Sequence, residues 1–304
     1  MARENAYEFT LLANAKINLS LSVLRRREDG YHELDMLTQS IGLADRLSFR
    51  ESGVISLRLR ADESVPFDES VPNDETNLVW KAARLVQTTY GISSGVTIEL
   101  MKRIPSGAGL GGGSADAAAV LHGVNRLWGL ALPLDSLLEM AVSLGADVPF
   151  CLRGGFLRVR GIGERLTAIE GAPSFPVVIV KPDMGLSTAY VFSAYDRLGE
   201  KPANPCIDST IKALSKNQIE AFTKTLGNAL QEPAISLLPE ITECVSALDS
   251  LGAIKAQMTG SGSAVFGIFS DESKAQSAYA HCRKKWKQTY LTRTVQSGVT
   301  TIFE

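Results

Sequence analysis

A glycine-rich segment at residues 105–115 constrains the possible fold of this chain more than any other feature. Five glycines lie between Pro105 and Ser114. The residues before them, Val96–Leu100, alternate between apolar and polar side chains, as in a half-buried strand. The residues after them, Ala117–Trp128, repeat apolar side chains at helical spacing. The sequence therefore predicts a strand, a glycine loop and the start of a helix, in that order.

This arrangement favours the binding of an anion. Glycine allows the backbone to approach a ligand closely and to adopt left-handed angles. The first turn of a helix presents unpaired N–H groups that carry partial positive charge. A simple connection would need only one or two glycines, because their conformational freedom destabilises the folded chain. We therefore expect a loop that binds phosphate.

Two common nucleotide-binding loops fit poorly. A Walker loop requires lysine followed by serine or threonine after its last glycine, whereas Ser114 and Ala115 follow here. The pattern G-x-G-x-x-G does occur, beginning at Gly107. A dinucleotide-binding unit would continue with a second strand ending in an acidic residue, but Leu134–Leu144 has a helical pattern. The loop belongs to another class of phosphate site.

Composition narrows the class of protein further. The chain has 304 residues, of which 45% are hydrophobic and 21% charged, and this length is sufficient for two cores. Its net charge of −2 provides no general attraction for nucleic acid. The four cysteines are scattered, as is usual in a reducing compartment. No apolar run reaches the ~18 residues of a membrane span, and residues 1–8 lack the apolar core of a signal peptide. We expect a cytoplasmic protein without nucleic-acid or membrane partners.

The N-terminal part of the chain predicts a long strand followed by a turn. Residues 9–23 carry apolar side chains at every odd position and mostly polar ones at the even positions, which indicates one buried and one polar face. Lys16 and Asn18 share the polar face, and spacing alone predicts a solvated lysine. The pair Asp29-Gly30 is typical of a hairpin turn.

Three further segments carry polar residues with two possible interpretations. A helix over residues 76–90 begins at Thr76 as its cap, with Asn77 and Lys81 on the face away from the core. Asp147, two residues before a proline, fits a helix cap as well as a functional carboxylate. The short glycine motif at residues 259–262 on its own predicts a plain hairpin turn.

Taken together, these segments resemble the GHMP small-molecule kinases over most of the chain and in the same order. The matching segments are residues 14–19, 27–32, 105–118, 144–150 and 258–262. The glycine loop is common to that superfamily, whereas Asp29–His32 and Gly145–Pro149 are similar to the branch whose substrate carries a cytidine diphosphate group. Asn14 departs from the family pattern, which usually has proline there. Beyond Pro182 the similarity is thinner.

The resemblance implies a two-domain α/β (α+β) fold. Residues 1–160 would form an ATP-binding and catalytic domain like the second domain of ribosomal protein S5. Residues 161–296 would form a ferredoxin-like C-terminal domain. The final strand, at about 297–304, is expected to return to the first domain.

The resemblance also implies an activity and the residues that carry it. The expected reaction transfers a phosphoryl group from ATP, with Mg²⁺, to the 2-hydroxyl of a methylerythritol that bears a cytidine diphosphate, in isoprenoid precursor biosynthesis. Lys16 and Asp147 would be catalytic. The ATP-binding residues would be Asn77, Lys81, Pro105, Ser106, Gly107, Ala108, Gly109, Leu110, Gly111, Gly112, Gly113, Ser114 and Ala115. The substrate-binding residues would be Asn18, Tyr31, His32, Thr188 and Phe192, and the third glycine motif would be Thr259, Gly260, Ser261 and Gly262.

Two alternatives remain at this point. Another alcohol kinase of the superfamily, acting on homoserine or mevalonate, would share the glycine loop but not the residues around Tyr31. A non-catalytic nucleotide-binding protein would favour basic patches with interleaved aromatic residues. The sequence predicts neither the metal ligands nor the oligomeric state.

Overall fold

A computed structural model describes residues 8–62, 71–171, 174–216 and 218–302. The predictions for residues 1–7 and for the end of the final strand at 303–304 lie outside the described residues. Within the described ranges, no helix is both long and apolar enough to cross a bilayer.

The described residues form eleven strands and ten helices. The strands are β1 (Phe9–Arg26), β2 (His32–Ser52), β3 (Ser56–Ala61), β4 (Gly95–Lys102), β5 (Phe156–Gly161), β6 (Arg165–Ala168), β7 (Pro176–Lys181), β8 (Lys255–Met258), β9 (Val265–Ile268), β10 (Gln288–Arg293) and β11 (Val299–Ile302). The helices are α1 (Leu78–Tyr90), α2 (Gly112–Leu127), α3 (Leu134–Leu144), α4 (Val148–Arg153), α5 (Thr188–Arg197), α6 (Ile207–Ser215), α7 (Ile219–Thr225), α8 (Gln231–Leu237), α9 (Glu240–Ser250) and α10 (Glu272–Cys282).

The larger sheet is built on the long hairpin of β1 and β2. Its strands run in the order β11-β1-β2-β4-β3, and β5 pairs with β2 and with β6. All pairs are antiparallel except β3 with β4, which are parallel, so the sheet is mixed. Gly30 adopts a left-handed φ of 86° at the turn between β1 and β2. The hairpin predicted from Asp29-Gly30 is therefore confirmed.

The smaller sheet has four strands in the order β10-β7-β9-β8, all antiparallel. Along the chain, β7 is followed by helices, then by β8 and β9, then by α10 and β10. This β-α-β-β-α-β order is the ferredoxin-like arrangement. The predicted two-part α/β fold is confirmed, and β11 pairs with β1 in the larger sheet. The domain limits at residues 160 and 296 stay predictions; β6, which follows residue 160, pairs within the larger sheet.

The polar face of β1 differs from its prediction. Lys16 and Asn18 are buried, with 4% and 1% of their surface exposed. The backbone N–H of Lys16 donates to Leu110 O at 3.0 Å, and that of Asn18 donates to Thr259 Oγ1 at 2.9 Å. Because the two glycine motifs cover this face, the expectation of a solvated Lys16 was wrong.

The start of α1 also differs from its prediction. Helix α1 begins at Leu78, and Asn77 is its N-cap, with Oδ1 accepting from the N–H of Val79 at 2.9 Å. Thr76 lies one residue earlier, and its hydroxyl donates to Asp74 Oδ1 at 2.6 Å. The cap is therefore Asn77 instead of Thr76, because the amide side chain reaches an unpaired N–H of the first turn.

Candidate active site

A cleft of about 1110 Å³ lies where the two sheets and the glycine loop meet. It is lined by the loop, by polar residues of β1, by the start of β2, by the N-terminal end of α4 and by α5. The glycine motif at residues 259–262, called the second glycine motif below, also lines it. Most of the residues singled out from the sequence line it: Lys16, Asn18, Tyr31, His32, Pro105, Ser106, Gly107, Ala108, Gly109, Leu110, Gly111, Gly112, Gly113, Ser114, Asp147, Thr188, Phe192, Gly260, Ser261 and Gly262. Four do not line it, namely Asn77, Lys81, Ala115 and Thr259.

The glycine loop has the backbone shape that its sequence predicts. Gly107, Gly109 and Gly111 have left-handed φ angles of 60°, 72° and 71°. Gly111 is the N-cap residue of α2, and no side chain caps this helix. The unpaired N–H groups of the first turn are therefore left for an anion in the cleft.

The second glycine motif contacts this loop and holds it in place. It joins the antiparallel strands β8 and β9, as a hairpin turn should. In addition, Thr259 Oγ1 accepts from the Asn18 N–H and donates to Gly109 O at 3.3 Å. The backbone N–H of Ser263 donates to Gly107 O at 3.2 Å. A Cβ on Gly109 would lie 2.3 Å from Thr259 O, so only glycine permits this close approach.

Lys16 and Asp147 meet beside the loop. Lys16 Nζ lies 3.4 Å from Asp147 Oδ2 and donates to Asn18 Oδ1 at 2.7 Å. The Lys16 side chain passes beneath the loop, since a Cβ on Gly111 would be 3.1 Å from Lys16 Cγ. The ammonium is thus held in place while the carboxylate, with 40% of its side chain exposed, faces the cleft.

The position of Asp147 separates its two interpretations. It occupies the N-cap position of α4, but its side chain makes no capping hydrogen bond. The carboxylate instead faces Lys16. A carboxylate paired with a lysine in a cleft can orient a hydroxyl group and accept its proton.

Aromatic side chains line the part of the cleft formed by β2 and α5. The ring of His32 stacks on Phe192 with centroids 4.6 Å apart, and His32 Nε2 makes a 2.8 Å hydrogen bond with Asp196 Oδ1. Tyr31 is exposed and lines the cleft beside them. Thr188 Oγ1 lies 2.8 Å from Ser261 Oγ, which ties α5 to the second glycine motif. Flat rings of this kind suit the stacking of a planar ligand.

Asp196 belongs to none of the motifs from which the site was predicted, although the sequence holds a signal for it. It follows Phe192 by four residues on α5, so the two side chains share one helix face. Both line the cleft.

A cluster of three buried charged residues was also missed. Lys102 Nζ donates to carboxylate oxygens of Asp45 and Asp116, the latter at 2.7 Å. Burial alone would lower the pKa of Lys102, but the two carboxylates outweigh burial and hold that pKa above its usual range. Burial raises the pKa of Asp116 well above its usual range. Lys102 and Asp116 flank the glycine loop in sequence, whereas Asp45 lies on β2, and no local pattern connects it to the loop.

Comparisons with known proteins agree with this geometry. A family model for the GHMP kinases N terminal domain matches residues 77–155, and the model GHMP kinases C terminal matches residues 210–288. A 4-diphosphocytidyl-2-C-methyl-D-erythritol kinase from Pelotomaculum thermopropionicum is 42% identical over 287 residues, which cover 94% of this chain and 97% of the relative. The protein of the same name from Bacillus subtilis is 38% identical, with coverage of 93% and 96%.

Solved structures lead to the same family. A crystal structure of 4-(cytidine 5'-diphospho)-2C-methyl-D-erythritol kinase superposes with a TM-score of 0.78 at 37% identity, covering 94% of this chain and 98% of that one. Homoserine kinase from Cytophaga hutchinsonii, with a TM-score of 0.76 at 20% identity and 99% coverage of both chains, shares the fold. The predicted resemblance is confirmed: the chain belongs to the 4-diphosphocytidyl-2-C-methyl-D-erythritol kinases, a family of ATP-dependent small-molecule kinases within the GHMP kinases.

Proposed function

We propose that this chain transfers the γ-phosphoryl group of ATP to the 2-hydroxyl of 4-diphosphocytidyl-2-C-methyl-D-erythritol, a step of non-mevalonate isoprenoid precursor biosynthesis. The observation that carries the proposal is the pairing of Lys16 with Asp147 directly beside the glycine loop. Phosphoryl transfer depends mainly on positioning and on stabilising charge. Here a phosphate cradle, a carboxylate and a fixed ammonium share one cleft.

The phosphates of ATP would lie on the backbone N–H groups from Gly107 to Ser114. The left-handed glycines and the uncapped start of α2 support this role. Asn77 and Lys81 stay candidates for contacts near the adenine, because Leu78 between them lines the cleft. Asn77 would act there by fixing the start of α1, which it caps.

Asp147 would hold the attacking hydroxyl and accept its proton. An ordinary aspartic acid has a pKa of about 3.9 and is a weak base for an alcohol. Because the transition state of phosphoryl transfer is loose, the proton can leave late, and orientation of the hydroxyl by Asp147 would matter more than basicity. Lys16, fixed by Asn18, would stabilise the hydroxyl oxygen as negative charge develops.

The cytidine and erythritol parts of the substrate would occupy the aromatic part of the cleft. Tyr31 and Phe192 offer rings for stacking, and the stacking on His32 holds the Phe192 ring in place. Asn18 and Thr188 would contact the erythritol part from two sides of the cleft. The second glycine motif, at residues 259–262, would hold α5 and the ATP-binding glycine loop in fixed positions relative to each other.

Mg²⁺ fits as an ion that accompanies ATP. The described residues contain no group of three or more His, Cys, Asp or Glu side chains able to hold a metal ion. Mg²⁺ usually keeps several waters and binds through one or two protein oxygens plus substrate phosphates. The Ser114 hydroxyl, which lies in the first turn of α2 and lines the cleft, would be such an oxygen. When bound, Mg²⁺ offsets part of the negative charge of the phosphates.

We also infer a cytoplasmic setting and a small-molecule substrate without a nucleic-acid partner. All four cysteines are free thiols in the structure, which fits a reducing compartment. The net charge of −2 supports the absence of a nucleic-acid partner.

Identification of the product tests the proposal. The protein is incubated with ATP, Mg²⁺ and 4-diphosphocytidyl-2-C-methyl-D-erythritol, and the mixture is analysed by mass spectrometry and ³¹P NMR. We expect one added phosphoryl group, located on the 2-hydroxyl, and one ADP for each product formed. ADP without a phosphorylated cytidyl product would contradict the proposal.

A further inference from the structure

Lys102 lies beside the start of α2, at the glycine loop that would bind phosphate. It is the last residue of β4, and its side chain is 11% exposed and lines the cleft. Its Nζ lies 3.3 Å from the point that a Cβ on Gly112 would occupy. Gly112 is the first residue of α2, where the unpaired N–H groups begin. An ammonium group therefore stands next to the most positive end of this helix.

Two carboxylates from other elements hold this ammonium in position. Asp45 comes from β2 and Asp116 from the second turn of α2. The side chain of Asp45 is fully buried and also accepts from the backbone N–H groups of Arg103 and Ile104, the latter at 2.8 Å. Asp116 Oδ1 is buried, and no hydrogen-bond partner for it exists among the described residues. The other oxygen of Asp116, Oδ2, accepts from Lys102 Nζ at 2.7 Å.

The location of Lys102 matches a need of the phosphate site. The glycine loop has no lysine of its own, because Ser114 and Ala115 stand where a Walker loop has Lys-Ser or Lys-Thr. The triphosphate of ATP brings several negative charges to this loop. The Lys102 ammonium, which lies beside the start of α2, would add a charged hydrogen-bond donor to this site from the preceding strand.

We propose that Lys102 is the lysine that stabilises bound phosphates at this loop, and that Asp45 and Asp116 are positioning residues that hold its ammonium at the start of α2. This inference rests on the proposed binding of ATP at the glycine loop. It assigns a phosphate-binding role to a strand residue and a positioning role to two buried carboxylates that do not line the cleft.

The test compares the affinities of ATP, ADP and adenosine for the wild-type chain and for Lys102→Met, measured by isothermal titration calorimetry. A charge-assisted hydrogen bond contributes about 1.5–3 kcal/mol, which corresponds to about a 10- to 150-fold change in Kd. We expect the Kd of ATP and of ADP to rise by about tenfold or more in Lys102→Met. The Kd of adenosine should change by less than about twofold, because adenosine carries no phosphate.

A second variant tests the same role of Lys102 if Lys102→Met does not fold. Lys102→Met leaves two buried carboxylates without their cation, which is strongly destabilising. In Lys102→Met/Asp116→Asn only Asp45 stays charged, and it keeps its two backbone N–H donors. The double variant should show the same selective loss of ATP and ADP affinity. Lys102→Arg, which keeps the charge, should recover most of it.

Asp116→Asn tests the positioning role separately. Loss of one of the two anchors should weaken ATP and raise its KM several-fold, with kcat and the KM of the alcohol substrate within about twofold of the wild-type values. Arg103→Ala is the matched control, because Arg103 is adjacent in sequence, half exposed, and pairs with Asp62 outside the cleft. This control should bind ATP like the wild type.

The outcomes separate this inference from the proposed function. If the wild type binds no ATP, the proposed function fails first. If the wild type binds ATP and both lysine variants bind ATP equally well, the role of Lys102 is overturned while the proposed function stands. An equal loss of adenosine and ATP affinity would also overturn the role of Lys102. Such a result would indicate a damaged pocket instead of a lost phosphate contact. If Asp116→Asn changes only stability, the positioning role of Asp116 is wrong.

Discussion

Asp147 illustrates what a single residue reveals in sequence and what it does not. Its place before Val148-Pro149 is equally typical of a helix cap and of a functional carboxylate. The structure puts it at the start of α4 without a capping bond and 3.4 Å from a buried lysine. The local sequence predicted the helix start. The contact with Lys16, 131 positions earlier in the chain, depends on the fold of β1 under the glycine loop.

At this scale, Asp147→Asn should lower kcat by roughly 10²–10⁴, the range usual for loss of a general base. The KM for ATP should change little, because the N–H groups of the glycine loop are unaffected. Asp135→Asn, at an exposed aspartate in the first turn of α3, is the control and should leave kcat unchanged. Steady-state ADP release measures both variants. A kcat near the wild-type value in Asp147→Asn would remove this residue from the catalytic role.

The sequence predicts the strand, loop and helix around residues 105–115 in more detail than any other part of the fold. The alternation before the glycines and the helical stripe after them predicted β4 and α2, and the structure has both. The partners of the loop could not be predicted in this way. Thr259 contacts Gly109 across 150 positions, and Asp45 reaches the end of β4 across 57. Such contacts arise from the packing of separate elements, for which local periodicity carries no signal.

Gly109→Ala should damage this element. The φ of 72° at Gly109 disfavours a side chain. The added Cβ would lie 2.3 Å from Thr259 O, so the loop would have to move away from the second glycine motif. We expect the KM for ATP to rise by about tenfold or more, since a cradle of N–H groups loses its geometry when one turn shifts. Steady-state kinetics with varied ATP measures this change.

Gly91→Ala is the matched control for this substitution. Gly91 has a similar φ of 63° at the end of α1, but nothing lies within 4 Å of the added Cβ. It should lower stability by about 1 kcal/mol through backbone strain alone and leave the KM for ATP unchanged. An ATP KM that rises equally in both variants would show that strain, and not the contact with Thr259, is responsible.

At the scale of the whole molecule, the chain returns to its first strand. Strand β11 pairs with β1, and the N–H of Asn14 donates to Gly298 O at 2.8 Å. The Asn14 side chain donates to Ser297 O at 2.9 Å. The resemblance marked Asn14 as a departure from the usual proline, and the structure gives the departure a role, because proline has no N–H to donate. That role could not be inferred from the segment around Asn14, whose partners lie 283 and more positions away.

Asn14→Pro should therefore lower the free energy of unfolding by about 1–3 kcal/mol, since Gly298 O loses its buried donor. Asn14→Ala keeps the backbone N–H and loses only the side-chain bond, so its loss should be smaller. Urea denaturation followed by circular dichroism measures both variants. Equal stability of Asn14→Pro and the wild type would contradict this account of how β11 is attached.

The proposed function of the cleft is to phosphorylate the alcohol group of a cytidyl substrate. The most direct measurement is the initial rate of ADP release with ATP and Mg²⁺ and one of three alcohols: 4-diphosphocytidyl-2-C-methyl-D-erythritol, homoserine or mevalonate. We expect ADP release that depends on the cytidyl substrate, with background rates for the other two. ADP release that depends on homoserine or mevalonate instead would contradict the assignment of the aromatic part of the cleft to cytidine. Absence of release with all three would contradict the account of Lys16 and Asp147 as a phosphoryl-transfer site.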